Sequence, residues 1–158
     1  MREDNSNAVK LNSRGQYAVM AMVELAHAKN NRPLPLSDIA DNAGISLSYL
    51  EQLIAGMRRH QLVKSYRGPG GGYMLAKHPR EIIITDILKA AEDSTPAKRN
   101  TLNGRKAQSC HHTYALWGHI GELLAVTLSK ITLEDVLSER LENNPHTSKI
   151  FEIMAKSA

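Results

Sequence analysis

The sequence predicts a mainly α fold carrying one small β-hairpin: a winged helix-turn-helix domain followed by a long C-terminal dimerisation helix. Three observations predict it. A short apolar-periodic stretch, Leu36–Asn42, meets a glycine turn, Ala43-Gly44-Ile45, and then a longer periodic stretch, Ser46–Arg59. Two strand-like runs, Leu62–Tyr66 and Gly72–Ala76, follow at once around a glycine-rich loop. Beyond them, Thr113–Lys130 returns apolar residues at near-heptad spacing.

Taken in order, residues 1–10 are polar and expected to be disordered. Ser13 followed by Gln16 has capping-box spacing, which opens a helix running to about Lys29. Tyr17, Met20, Ala21, Val23, Leu25 and Ala28 give that helix a wide apolar side. Asn30–Pro35 stops it. In the next helix Leu36, Ile39 and Ala40 share one face. The third turns Leu47, Leu50, Ile54 and Met57 inward and leaves Ser46, Ser48, Glu51, Gln52, Arg58 and Arg59 outside, with Tyr49 amphipathic.

After the hairpin a further helix is expected around Thr85–Glu92. The polar, aperiodic stretch Asp93–Ser109 reads as a loop. In the long helix Leu116, Ile120, Leu123, Thr127 and Ile131 form the stripe, widened by Leu124 and Leu128. Thr132–Leu137 is expected to add one turn. The expected division is a winged-helix head over 1–92, a polar loop over 93–112, a long amphipathic helix over 113–138 and a tail over 139–158.

Composition narrows the function. With 158 residues, 42% of them hydrophobic, the chain can build one small core; one Trp and one Phe make that core aliphatic. The net charge of +4 suits a polyanionic partner. The apolar runs are too short to span a bilayer and the N-terminal stretch has no apolar signal region, so a soluble, cytoplasmic protein without a membrane partner is expected. The single cysteine, Cys110, excludes an intrachain disulfide. No GxSxG, HExxH or phosphate-binding loop is present, so the chain is not expected to be an enzyme.

The third helix and the loop carry the chemistry. A helix of this size fits the major groove, where Glu51 can accept from cytosine N4, Gln52 can pair with adenine, and Ser46 or Ser48 suits either. Arg58, Arg59 and His60 are placed to grip phosphates. The competing reading is an ordinary solvated helix face. The loop Tyr66-Arg67-Gly68-Pro69-Gly70-Gly71-Gly72-Tyr73 is thin enough for a minor groove about 6 Å wide. There the amides of Gly70, Gly71 and Gly72 can lie against phosphates. Arg67 can enter the negative potential of a narrow A·T segment, with Lys64 and Lys77 forming a basic rim. The competing reading is a simple glycine turn, although three consecutive glycines exceed what a tight turn needs.

LNSRGQYAVMAMVELA, PLPLSDIADNAGISLSYLEQL, LVKSYRGPGGGYMLA and ITDILKAAE together resemble the IscR-type (Rrf) winged-helix regulators of bacteria, over roughly Leu11 to Val136. ISLSYLEQL with RGPGGGY is the most specific part. The resemblance implies a homodimer on a partly palindromic operator in double-stranded DNA, with the long C-terminal helices crossing to form the dimer. It also implies Ser46, Ser48 and Glu51 at base edges, Arg67 in the minor groove, and a sensor in the Asp93–Ser109 loop. That makes 1–92 the DNA-binding domain, 93–112 the sensor loop and 113–138 a dimerisation helix with Leu116, Ile120, Leu123, Leu124, Leu128 and Ile131 at the dimer interface.

At the sensor the sequence departs from the family pattern, in which three cysteines and a histidine hold an iron–sulfur cluster just before a stretch resembling Ala115-Leu116-Trp117. Only Cys110 stands here, one residue out of register; Tyr114 takes the histidine position, and Lys98 and Gly104 lie near those of the other cysteines. Three readings stand side by side. Cys110 with His111 or His112, helped by the second protomer, holds a 2Fe–2S cluster by mixed ligation. Alternatively, the cluster site is lost and the signal is a metabolite or a protein partner. In the third, Cys110 is a redox thiol sharpened by neighbouring imidazolium. The expectation is a dimeric, sequence-specific DNA-binding transcription regulator answering to iron–sulfur or iron status. The alternatives are a cluster-free regulator and a winged-helix module that binds proteins.

Overall fold

A computed structural model of the chain describes residues 12–28, 32–94, 111–138 and 141. The first helix, α1, spans Ser13–His27. Its cap is Asn12 rather than Ser13. Asn12 holds extended backbone, and its Oδ1 accepts from the Gly15 amide at 2.9 Å, which an asparagine carbonyl reaches as readily as a serine hydroxyl. Ala18, Ala21, Met22 and Leu25 face the core, whereas Met20, expected inside, is 43% exposed.

Helix α2, Leu36–Ala43, buries Ile39, Ala40 and Ala43. Gly44 ends it in the left-handed conformation, and the Ile45 amide donates to the Ala40 carbonyl at 2.9 Å, closing the turn. Helix α3, Leu47–Arg59, buries Leu50, Leu53, Ile54, Gly56 and Met57. Leu47, expected inside, is 47% exposed, because the buried stripe starts one turn later at Leu50.

The strands β1, Val63–Tyr66, and β2, Gly72–Leu75, pair antiparallel from Val63↔Leu75 to Tyr66↔Gly72. Each is one residue shorter than expected. A two-stranded ribbon is marginal alone, and this one is anchored at its base by a bridge between Leu34 and Tyr73. A single 3₁₀ turn, Pro79–Glu81, unforeseen in the sequence, follows under a reciprocal His78–Glu81 cap.

Helix α4, Ile84–Glu92, packs on α1 and α3. The fit against α3 is close: a Cβ on Gly56 would stand 2.3 Å from the Ala90 carbonyl oxygen. Helix α5, His111–Leu128, begins two residues earlier than expected, and α6, Leu133–Leu137, is the extra turn, capped by Thr132 and Asp135. The chain here comes back to the head. Ile84 N–H donates to Ile131 O at 3.0 Å and Leu133 N–H to Ile82 O at 2.8 Å. Ile131 is 6% exposed and Leu133 fully buried, so Ile131 belongs to the core of the head and not to the stripe of the long helix where the sequence put it.

Among the described residues the largest fully buried side chains are Met22, Ile39, Leu50, Leu53, Ile54, Met57, Ile82, Ile87 and Leu133, an aliphatic and methionine core as the composition required. Burying each such side chain contributes about 1.5–3 kcal/mol. Among the described residues no helix is long and apolar enough to cross a membrane.

Candidate nucleic-acid interface

The division of α3 into two faces organises the site. Against the core lie Leu50, Leu53, Ile54 and Met57; on the other side Ser48, Glu51, Gln52, Ala55, Arg58 and Arg59 are all exposed. These outer positions recur at three- and four-residue steps, so they form one stripe along the rod. Ser46 caps α3 through its backbone position but uses no side-chain hydrogen bond to do so, and its hydroxyl stands exposed at the helix N-terminus.

Tyr49 differs from its neighbours. It is half-buried, its ring meeting Tyr17 edge-on at 5.9 Å and 85°, with the Arg14 guanidinium 5.3 Å from its centroid. Such geometry is favourable for both pairs. The ring is thus a packing element of the helix's first turn, and only part of it reaches solvent.

The basic end of α3 is also less free than its sequence implies. Arg59 Nη2 donates to the Asp93 carbonyl, and His60 Nε2 lies 2.7 Å from Asp93 Oδ2. Of the three groups expected to grip phosphates, two are therefore tied to the end of α4. Nothing local in the sequence signals this, because Asp93 lies over thirty residues further along the chain.

In the wing, Arg67 and Gly68 through Gly70 are exposed at the tip. Gly70 has φ +73°, and the Gly71 amide donates to Gly68 O at 2.9 Å. A Cβ on Gly71 would stand 2.5 Å from Tyr66 O, and one on Gly72 would stand 2.3 Å from Leu34 O. The run of glycines is thus required by the turn and by the Leu34–Tyr73 bridge, before any partner is considered. Strand register puts Lys64, Tyr66 and Met74 on the outward face of the ribbon. A cleft of about 680 Å³ runs from there toward the end of α1, edged by Arg32, Lys64 and Lys77. Lys64 on β1 and Lys77, two residues beyond β2, are both exposed.

Helix α5 leaves Leu116, Ile120, Leu123 and Val126 between 38% and 70% exposed, while Leu124 and Leu128 are half-buried. Val126 is the member of this face that heptad counting missed. Cys110 lies outside the described residues, as do the side chains of His111 and His112. The fit of a cluster is decided by donor chemistry. The chain has one cysteine, and among the described residues no group of three His, Cys, Asp or Glu can hold a metal ion. A cluster held mainly by thiolates does not fit one protomer.

Residues 11–139 match the Rrf2 family, described as an iron-dependent transcriptional regulator. The HTH-type transcriptional regulator IscR of Photorhabdus laumondii is 40% identical over 137 residues, covering 84% of this chain and 81% of that protein. IscR of Cronobacter sakazakii is 38% identical over 148 residues, covering 87% and 91%. Among solved structures, T. potens IscR aligns with a TM-score of 0.64 at 36% identity, covering 85% of this chain and 90% of that one. CymR, the global cysteine regulator of B. subtilis, aligns at 0.62 with 33% identity, covering 82% and 97%. These relatives are regulators and not enzymes, and the chain belongs to the Rrf2 family of transcriptional regulators.

Proposed function

We propose that the chain works as a homodimer on double-stranded DNA, each protomer laying α3 in a major groove and its wing, Gly68–Gly72, along the adjacent minor groove. One observation carries the reading: the polar stripe of α3 is wholly exposed while the opposite face is sealed into the core. A rod held rigidly from behind with its donors and acceptors free in front is what base readout needs. Ser46, Ser48, Glu51 and Gln52 then meet base edges, Arg58 meets phosphate, and Arg67 enters the minor groove. The exposed apolar face of α5 supplies the contact with the second copy. In this arrangement the half-sites lie about one helical turn apart.

Footprinting with hydroxyl radicals tests it on duplexes selected by the protein from a randomised library. Two protected patches about one helical turn apart are expected, each flanked by minor-groove protection. A single patch of one half-site would contradict the dimeric mode.

The iron dependence in the family description belongs, in this reading, to the segment around Cys110. With one thiolate per protomer, a 2Fe–2S cluster there needs imidazole from His111 or His112 and further groups from the second protomer, in the manner that imidazole replaces thiolate in Rieske centres. One protomer does not supply that set. Whatever the signal, it acts by changing the relative free energy of dimer arrangements that bind the operator differently. Anaerobic purification with reconstitution separates the cases. Visible absorbance that disappears in Cys110→Ala supports the shared cluster, and colourless protein supports cluster-free sensing of thiol redox, a metabolite or a protein partner.

A further inference from the structure

Arg14 stands in the first turn of α1, outside both the recognition stripe and the wing, yet its guanidinium is the most heavily engaged cation among the described residues. Nε donates to the Ala91 carbonyl at 2.9 Å and to Ser94 Oγ at 3.0 Å; Nη2 donates to the same Oγ at 2.7 Å. Its Cζ lies over the Tyr49 ring, 5.3 Å from the centroid. Ser94 is 8% exposed and its hydroxyl donates in turn to the Ala91 carbonyl, so the receiving end is fixed. Tyr49 also meets Tyr17, three residues beyond Arg14 on α1, edge-on.

These contacts join three elements. Arg14 grips the C-terminal end of α4 through its hydrogen bonds, and its cation meets the ring of Tyr49 in the first turn of α3, where Ser46 and Ser48 stand. At the far end of α3, Arg59 and His60 are tied to Asp93. The recognition helix is therefore braced at both ends against the same four residues, Ala91–Ser94.

We propose that Arg14 is a positioning residue for base readout: by bracing Tyr49 against Ala91 and Ser94 it sets the angle at which the N-terminal turn of α3 presents Ser46, Ser48 and Glu51. The inference rests on α3 being the recognition helix. It differs from a phosphate contact, for which any cation serves. A planar fork that bonds two acceptors while its cation sits over a ring has no lysine equivalent.

The test compares affinity for a library-selected duplex with affinity for a scrambled duplex of the same length. Arg14→Gln and Arg14→Lys are each expected to lower that ratio about tenfold, as loss of charge-assisted hydrogen bonds implies, with scrambled-duplex affinity little changed. Ser94→Ala, which alters a buried and uncharged side chain, is expected to lower the ratio less but in the same direction. The double variant Arg14→Gln/Ser94→Ala is expected to match Arg14→Gln alone, since both remove one shared interaction. If Arg14→Gln does not fold, Arg14→Lys and Ser94→Ala decide the matter. Equal losses on both duplexes, or full recovery by lysine, would make Arg14 a phosphate contact and overturn the proposal. A ratio that stays at the wild-type value would overturn it too. Wild-type protein that cannot tell the two duplexes apart would remove the recognition reading itself, and this inference with it.

Discussion

Leu34 and Tyr73 exchange both backbone hydrogen bonds, Leu34 N–H to Tyr73 O at 2.9 Å and Tyr73 N–H to Leu34 O at 2.8 Å. Through this pair the wing is fastened to the connection between α1 and α2 rather than standing as a free hairpin. Gly72 sits where the backbones are closest.

Gly72→Ala is accordingly expected to damage the wing. Its added methyl meets Leu34 O at 2.3 Å, and backbone on both sides leaves little room to yield. A loss of about 1–3 kcal/mol in unfolding free energy is expected, measured by urea denaturation. Unchanged stability would show that the bridge is weaker than its geometry implies.

Arg67→Ala removes an exposed side chain at the wing tip without touching the core. Stability should stay within about 0.5 kcal/mol of wild type, while operator binding weakens by about 1–3 kcal/mol. Fluorescence anisotropy and thermal melts on the same samples separate the two. Unaltered affinity would remove Arg67 from the minor groove.

Glu51→Ala is expected to relax preference at one base position by about 1–3 kcal/mol, because Glu51 lies on the exposed stripe of α3 with no fold role. The readout is the ranking of operator variants. An unchanged ranking would mean that Glu51 faces solvent in the complex.

Leu123→Glu places a charge at the most exposed apolar position of α5, 70% accessible in one protomer. Sedimentation should then show monomer, with operator affinity down by at least about a hundredfold as the linked second half-site is lost. A stable dimer would shift the interface elsewhere on the chain.

Much of this architecture is written locally and could be read. Gly44 between two amphipathic stretches, and glycines between two short strand runs, specify the helix-turn-helix and the wing within a few residues of themselves. The outer stripe of α3 followed from the same periodicity, and Ser46, Ser48, Glu51, Gln52 and Arg67 all proved exposed. Periodicity does not, however, say where a buried stripe begins. Met20 lies on the side of α1 opposite the stripe Ala18, Ala21, Met22 and Leu25, and Leu47 precedes the first buried turn of α3, so both are exposed. The long-range contacts left no local trace. Neither the pairing of Leu34 with Tyr73, nor the return of Ile131 and Leu133 to the head, nor the capture of Arg59 and His60 by Asp93 has a signature in the residues themselves. The three glycines 70–72, read as slimness for a groove, are explained first by backbone crowding within the wing.

The central claim, that the exposed stripe of α3 and the basic wing meet a duplex, is tested most directly by measuring affinity for a selected duplex against salt concentration. Several phosphate contacts predict a straight, steep decline of log K with log salt, at least about a hundredfold between about 50 and 200 mM. A flat response would contradict the account, since a surface that releases no counterions is not gripping DNA.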